Sequence, residues 1–293
     1  MQVDIKVVNA FVEAGRGGNP AGVVLDADAL SAAQKLAIAA RVGLSETAFV
    51  SASETAAFKL EFFTPVRQIA HCGHATVATF SLLRQLGRVQ EGWSSKETID
   101  GNRDILLVGD AAYMEQRRPQ YREVAAEDPA VLAEVLGALG LEARQLLEGH
   151  LPTRVETGMA FILVALRNEA DVKGVRPDLA RLERLSERFD LVGFYVFSTA
   201  TREPGRAAGA RMFAPRYGIA EESATGMAAG PLACYLHDRL GLATTRLAIE
   251  QGYLMAPPSP SLIQVELELE DDRISRLMAG GQARVMDAYC LSL

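Results

Sequence analysis

A single acidic side chain, Glu46, stands in the apolar-flanked stretch Leu44-Ser45-Glu46-Thr47-Ala48-Phe49. Desolvation there would raise its pKa toward the range in which a carboxylate takes a proton from carbon near neutral pH. The plainer reading, a surface or capping glutamate, also fits the residues alone. Further along are two helix openings of similar design, about 150 residues apart. The first runs Phe63-Thr64-Pro65, then Cys72-Gly73-His74-Ala75-Thr76, and its helix ends at Gly87; the second runs Phe213-Ala214-Pro215, then Thr225-Gly226-Met227, and ends at Gly241. Gly73 to Gly87 is 14 positions and Gly226 to Gly241 is 15, so the strand-turn-helix block reads as duplicated. Free N–H groups and the positive end of the helix dipole make each start an anion site, and glycine lets a ligand touch the backbone. Two such starts across a pseudo-twofold axis would grip a carboxylate or hold charge developing on carbon.

His74 follows Gly73 at a helix start, where the dipole disfavours imidazolium and a neutral ring donates or accepts a hydrogen bond. His71, Cys72 and His74 also read as a metal cluster, but their spacing fits no common zinc pattern and no fourth ligand is in sight. The expectation is therefore no metal. Nor is there a Gly-Lys phosphate loop or a dinucleotide fingerprint, and no cofactor is expected.

The chain has 293 residues, 49% of them hydrophobic and 23% charged, enough for two domains of ordinary globular composition. A net charge of −7 offers no basic stripe for nucleic acid. The longest apolar run, Met159 to Leu166, is far short of the ~20 residues that span a bilayer. Three cysteines, Cys72, Cys234 and Cys290, fit free thiols in a reducing compartment. A cytoplasmic protein with a small-molecule partner, no nucleic acid and no membrane is the expectation.

The elements that must position these residues follow from periodicity and turn signals. Val3 to Phe11 alternates as a half-buried strand, and Gly17-Gly18-Asn19-Pro20 breaks it before Val23-Val24-Leu25. Ser31 caps a helical run that Gly43 stops. Thr47 to Val50 and Ala57 to Phe63 read as strands, and Thr98 to Val108 with Ala111 to Gln116 as a hairpin. Arg117 to Pro129 is the expected crossover. In the second half, Ala160 to Leu166, Val192 to Ser198 and Ala208 to Phe213 read as strands and Pro177 to Phe189 as a helix; Leu262 to Leu269 and Gln282 to Cys290 close the chain. The expected fold is α+β, with two pseudo-symmetric domains, each a curled, mostly antiparallel sheet around a central helix. The domains are set at 1–118 and 119–280, with a closing strand at 281–293 returning to the N-terminal domain.

Taken in order, Gly18-Asn19-Pro20-Ala21-Gly22, Leu44-Ser45-Glu46-Thr47, Phe63-Thr64-Pro65, Cys72-Gly73-His74-Ala75-Thr76, Arg211-Met212-Phe213-Ala214-Pro215 and Glu221-Glu222-Ser223-Ala224-Thr225-Gly226 resemble the PhzF (phenazine biosynthesis-like) family over nearly the whole chain. The resemblance implies the diaminopimelate-epimerase-like fold, a homodimer, and cofactor-independent isomerisation by proton transfer at carbon of a small carboxylate-bearing substrate. It places the acid/base on Glu46 and substrate positioning on His74, with Asn19, Gly73, Ala75 and Thr76 around the substrate. From the second half it adds Glu222, Thr225, Gly226 and Met227.

In the related amino-acid epimerases a cysteine at the place of Cys72 works with a second one where this chain has Thr225, so a two-thiol racemase of an amino-acid derivative is disfavoured and Cys72 reads as a packing residue. This chain departs from the family pattern Glu-Asp-Pro-Ala-Thr-Gly-Ser at Glu222, one methylene longer, and at Met227, which lacks the hydroxyl. After Gln251-Gly252 it has Pro257 and no arginine. These departures leave a third reading open, a ligand-binding or regulatory protein that kept the cleft without turnover.

Overall fold

The structure, a computed structural model, describes residues 2–126 and 129–292. Outside it fall Met1 of the expected N-terminal domain, Glu127 and Asp128 of the expected crossover, and Leu293 of the closing strand. The chain divides into two compact units, residues 1–115 with 280–293, and residues 116–279.

The first unit contains β1 (Gln2–Ala10), β2 (Asn19–Val24), α1 (Ala32–Val42), β3 (Thr47–Ser51), β4 (Phe58–Phe63), β5 (Gln68–Ile69), α2 (Gly73–Gln85), β6 (Gly92–Thr98), β7 (Gly101–Val108) and β8 (Ala111–Gln116). Ser31 caps α1 through a reciprocal pair with Gln34, and Gly43 ends it in the left-handed region. β2 and β3 pair in parallel, as do β4 and β6, while β1–β2, β3–β4, β6–β7 and β7–β8 are antiparallel. The sheet closes on itself through the last strand of the chain, which pairs with both β1 and β8. α2 packs against β1, β2, β3 and β7 and is buried from His74 through Leu83. Its small residues (Ala75, Thr76, Ala78, Thr79, Ser81) let the strands approach from every side, where larger ones would not fit.

The second unit holds β9 (Gln120–Glu123), α3 (Pro129–Leu139), β10 (Thr153–Glu156), β11 (Ala160–Ala165), α4 (Glu169–Gly174), α5 (Leu179–Arg188), β12 (Gly193–Ser198), β13 (Ala208–Ala214), β14 (Ile219–Glu222), α6 (Gly226–Asp238), β15 (Arg246–Gln251) and β16 (Ser261–Glu270); β17 (Arg273–Ser292) begins here and ends in the first unit. Its strands pair in the order β9, β10, β11, β12, β13, β15, β16, with β11–β12 and β13–β15 parallel. α6 is buried from Ala228 through Leu236 and touches β10, β11 and β16. Val131, Val135, Leu139, Leu182 and Leu185 of α3 and α5 join Ile162, Val164, Phe194 and Val196 of β11 and β12 in one apolar cluster.

Three expectations need correction. The hairpin expected from Thr98 is two hairpins, because Ile99-Asp100 turns the chain and Thr98 ends a separate strand, β6. The expected crossover carries β9, and α3 begins at its last residue, Pro129, with Val131, Val135 and Leu139 packed into the apolar cluster. The closing strand begins at Arg273, not near residue 281. Gly280 does not break it, since a Cβ there would lie 2.2 Å from Ala112 O, and glycine admits the neighbouring backbone.

Candidate active site

In the first unit the parallel pairing of β2 and β3 sets Glu46. Glu46 precedes Thr47, the first residue of β3, and its carbonyl accepts a 3.0 Å hydrogen bond from Gly22 N–H on β2. Gly22 must be glycine here, because an added Cβ would stand 2.8 Å from Thr47 Oγ1. Asn19 starts β2 and is buried. The Glu46 side chain turns inward to the start of α2, where Cys72 is the N-cap and contributes no side-chain cap.

Glu46, Cys72 and His74 meet there, with one donor atom from each lying within 4.8 Å of the others. They are 8%, 7% and 5% exposed. His74 Nε2 stands 3.3 Å from Glu46 Oε2, and His74 Nδ1 stands 3.6 Å from Cys72 Sγ. The imidazole therefore lies between a carboxylate and a thiol. Glu46 Oε2 is buried without a hydrogen bond of ordinary geometry. Such an oxygen is costly unless a ligand uses it. Burial pushes the Cys72 thiol up; His74 opposes this and Glu46 adds to it, so the thiol is protonated near neutral pH.

Behind this cluster lies a residue that sequence reasoning missed. Lys96 of β6 is fully buried, 2.6 Å from Thr76 Oγ1 and 3.3 Å from His71 Nδ1, with its ammonium 5.1 Å from the Phe62 ring centre. Thr76 Oγ1 in turn donates to Cys72 O at 2.6 Å. Desolvation holds Lys96 down to about 7 and holds His71 well below its ordinary value, with the Lys96 charge second for the histidine. Both polar groups of Thr76 are engaged within the unit, since its N–H also donates to Cys72 O. Ala75, one residue before it, is fully buried. Lys96 falls on the inward face of the β6 alternation, but nothing local separates a wholly buried lysine there from a half-buried one.

The second unit frames the start of α6. Thr225, its N-cap, makes no side-chain cap; its hydroxyl donates instead to Glu222 Oε2 in a short contact. Gln251 of β15 organises the rest. Its Oε1 accepts from Tyr195 O–H at 2.8 Å and from Thr225 N–H at 3.1 Å, and its Nε2 donates to Glu222 O at 2.7 Å and to Thr225 Oγ1 at 3.2 Å. Gly226 is buried and begins the helix, its carbonyl accepting from Gln116 Nε2 at 2.9 Å, while Met227 is half-buried. Gln251 and Tyr195 were not among the sequence candidates, although Gln251 sits beside the Gly252 loop singled out there.

A family model described as phenazine biosynthesis-like protein matches residues 8–288. The chain belongs to the PhzF family. An uncharacterised isomerase of Deinococcus radiodurans is 35% identical over 288 residues, covering 95% of this chain and 91% of that one. The trans-2,3-dihydro-3-hydroxyanthranilate isomerase of Pseudomonas chlororaphis is 30% identical over 286 residues, 94% of each chain. Among solved structures, a PhzF-family protein of Bacillus anthracis superposes with TM-score 0.89 at 24% identity over 100% of both chains. A hydroxyproline epimerase of Agrobacterium vitis gives 0.59 at 11%, covering 100% of this chain and 93% of that one. This PhzF protein thus has the mixed α/β, few-helix, closed-sheet fold of those proteins, and like the relatives just named it is an isomerase. Among the described residues no helix is long and apolar enough to cross a membrane.

Proposed function

We propose that this isomerase moves a proton at carbon of a small carboxylate-bearing substrate, with Glu46 as the general acid/base and no cofactor. The observation that carries the reading is the Glu46 carboxylate. It is buried, its Oε2 lacks a hydrogen bond, and it stands beside the uncapped start of a buried helix. In the forward step a carboxylate oxygen takes a proton from a substrate C–H, and the electron pair of that bond delocalises toward the substrate carboxylate. The amides at Gly73 and the helix dipole stabilise that charge. In the return step Glu46 gives the same proton to another carbon, leaving the enzyme unchanged. His74, 3.3 Å from Glu46, orients the substrate's polar groups. Within the second unit, the start of α6 at Gly226 serves on the same reading as an anion-holding backbone, with Glu222 held by Thr225 and Met227 next along the helix.

The racemase reading would need a second thiol, and Thr225 occupies that place with its hydroxyl committed to Glu222. A binding-protein reading draws on the same departures, Glu222 and Met227. Glu46→Gln separates the two, because the amide is nearly isosteric but cannot accept the proton. Turnover with hydrogen exchange from D2O is expected to fall at least ~10²–10⁴-fold while binding persists. Wild-type turnover in that variant would place the base elsewhere. Binding without turnover by the wild type, across a panel of unsaturated and α-amino carboxylates, would favour the binding protein.

A further inference from the structure

The run His71-Cys72-Gly73-His74 offers three metal-type donors in sequence, but the fold breaks the set. His71 turns to Lys96, and Glu46 arrives in its place from 26 residues upstream of Cys72. The result is a sulfur, an imidazole nitrogen and a carboxylate oxygen within 4.8 Å of one another, all on buried side chains. Tetrahedral bonds of ~2.3 Å to sulfur and ~2.0–2.1 Å to nitrogen or oxygen place donor atoms roughly 3.3–3.6 Å apart. Cys72 Sγ and His74 Nδ1 are at 3.6 Å. Glu46 Oε2 now faces the other ring nitrogen, Nε2, at 3.3 Å, so the carboxylate and the ring must turn to share one ion, and Glu46 Oε2 has no hydrogen bond of ordinary geometry to give up.

We propose that Glu46, Cys72 and His74 form a site for one thiophilic divalent cation of the Zn²⁺ class, and that its occupancy silences the protein by engaging Glu46. The mixed sulfur, nitrogen and oxygen set selects borderline-soft ions such as Zn²⁺ and Cd²⁺ over Mg²⁺ and Ca²⁺, which demand oxygen ligands. A fourth position stays open at the start of α2 for water or an anion. The thiol gives up its proton on binding, since a coordinating sulfur is a thiolate. The metal is thus an inhibitor and not a cofactor. The silencing clause rests on the role proposed for Glu46; the binding clause does not.

The test uses full-length protein freed of metal by chelator and dialysis, then titrated with ZnCl₂ or CdCl₂. One ion per chain is expected, with a thiolate-to-metal ultraviolet band for Cd²⁺ and no competition from excess MgCl₂. Cys72→Ala should abolish the band and weaken binding more than ~10-fold, the loss that even outer partners of a metal ligand produce. Cys290→Ala removes an exposed thiol and should change nothing. If Cys72→Ala does not fold, Glu46→Gln, nearly isosteric, should keep the band and lose affinity. Absence of saturable binding, wild-type affinity in Cys72→Ala or in Glu46→Gln, or loss of binding in Cys290→Ala would overturn the site. In the activity arm, Zn²⁺ should inhibit turnover with the midpoint of the binding curve, and chelator should restore it. Binding at these residues with undiminished turnover would overturn the silencing clause and count against Glu46 as the base.

Discussion

Lys96 offers the sharpest physical test of the architecture behind the site. It is fully buried with two neutral hydrogen-bond partners, Thr76 Oγ1 and His71 Nδ1, and an aromatic face. The other titratable groups near it are Cys72, Arg103, which faces it across β6–β7, and Asp100, and none of them bonds to the amine. The folded protein therefore holds Lys96 near 7, against 10.5 ordinarily, chiefly through desolvation. At ~1.36 kcal/mol per pH step, burying the charged amine costs up to ~5 kcal/mol below pH 7. The sign follows from proton counts. Between pH 7 and about 10 the unfolded chain carries a proton on Lys96 that the folded chain has released, so stability rises with pH across that window. Lys96→Met keeps the stem's volume and removes the titration. It forfeits hydrogen bonds worth roughly 1 kcal/mol each and leaves two acceptors without that donor, so the variant should gain ~1–3 kcal/mol at pH 6. Urea unfolding of both proteins from pH 6 to 9.5 reads the effect. The wild-type stability minus the variant's should climb by ~1.4 kcal/mol per pH unit above pH 7.5. A flat difference over that range, or a variant less stable than wild type at pH 6, would refute a desolvated amine.

Four further outcomes are expected. Glu46→Gln should lose at least ~10²–10⁴-fold in turnover with little change in unfolding midpoint, measured by solvent hydrogen exchange and urea titration. Arg211 is buried with two 2.8 Å bonds to the Glu221 carboxylate and contacts to the carbonyls of Val172, Lys173 and Val175; Arg211→Ala should cost ~2–3 kcal/mol, read by urea unfolding, because it leaves the half-buried Glu221 carboxylate and those carbonyls without their donor. Gln251→Leu unties Tyr195, Thr225 and Glu222 together, and should cost ~2–3 kcal/mol and depress turnover, whereas Gln264→Leu at an exposed position of β16 should do little. Gly22→Ala forces Thr47 Oγ1 from 2.8 Å, so it should destabilise by ~1–3 kcal/mol and lower kcat through the displaced Glu46.

What the sequence displayed and what it hid divide along a physical line. Signals confined to a few neighbours were legible: Ser31 and Gly43 bracket α1 within a residue, and Gly73 and Gly226 open α2 and α6. Features that exist only because another part of the chain arrives were not. Gly280-Gly281 looks like a breaker until β8 lies 2.2 Å from where a Cβ would be, and the apolar residues of α3 find their partners only in the distant strands β11 and β12. Lys96 alternates correctly for a strand, and nothing local says that its inward position is wholly buried.

Cys72 shows the same division within the site. Judged by its neighbours and by the threonine that replaces a second thiol, it is a packing residue. Its chemistry changes only because the β2–β3 register carries Glu46 to the start of α2, placing His74 between thiol and carboxylate. A cysteine that lacks a second thiol is thereby left with a carboxylate and an imidazole, a poor set for racemising an amino acid by two thiols and a good one for binding a soft metal ion. The substitution that removes one chemistry from this place leaves the other intact.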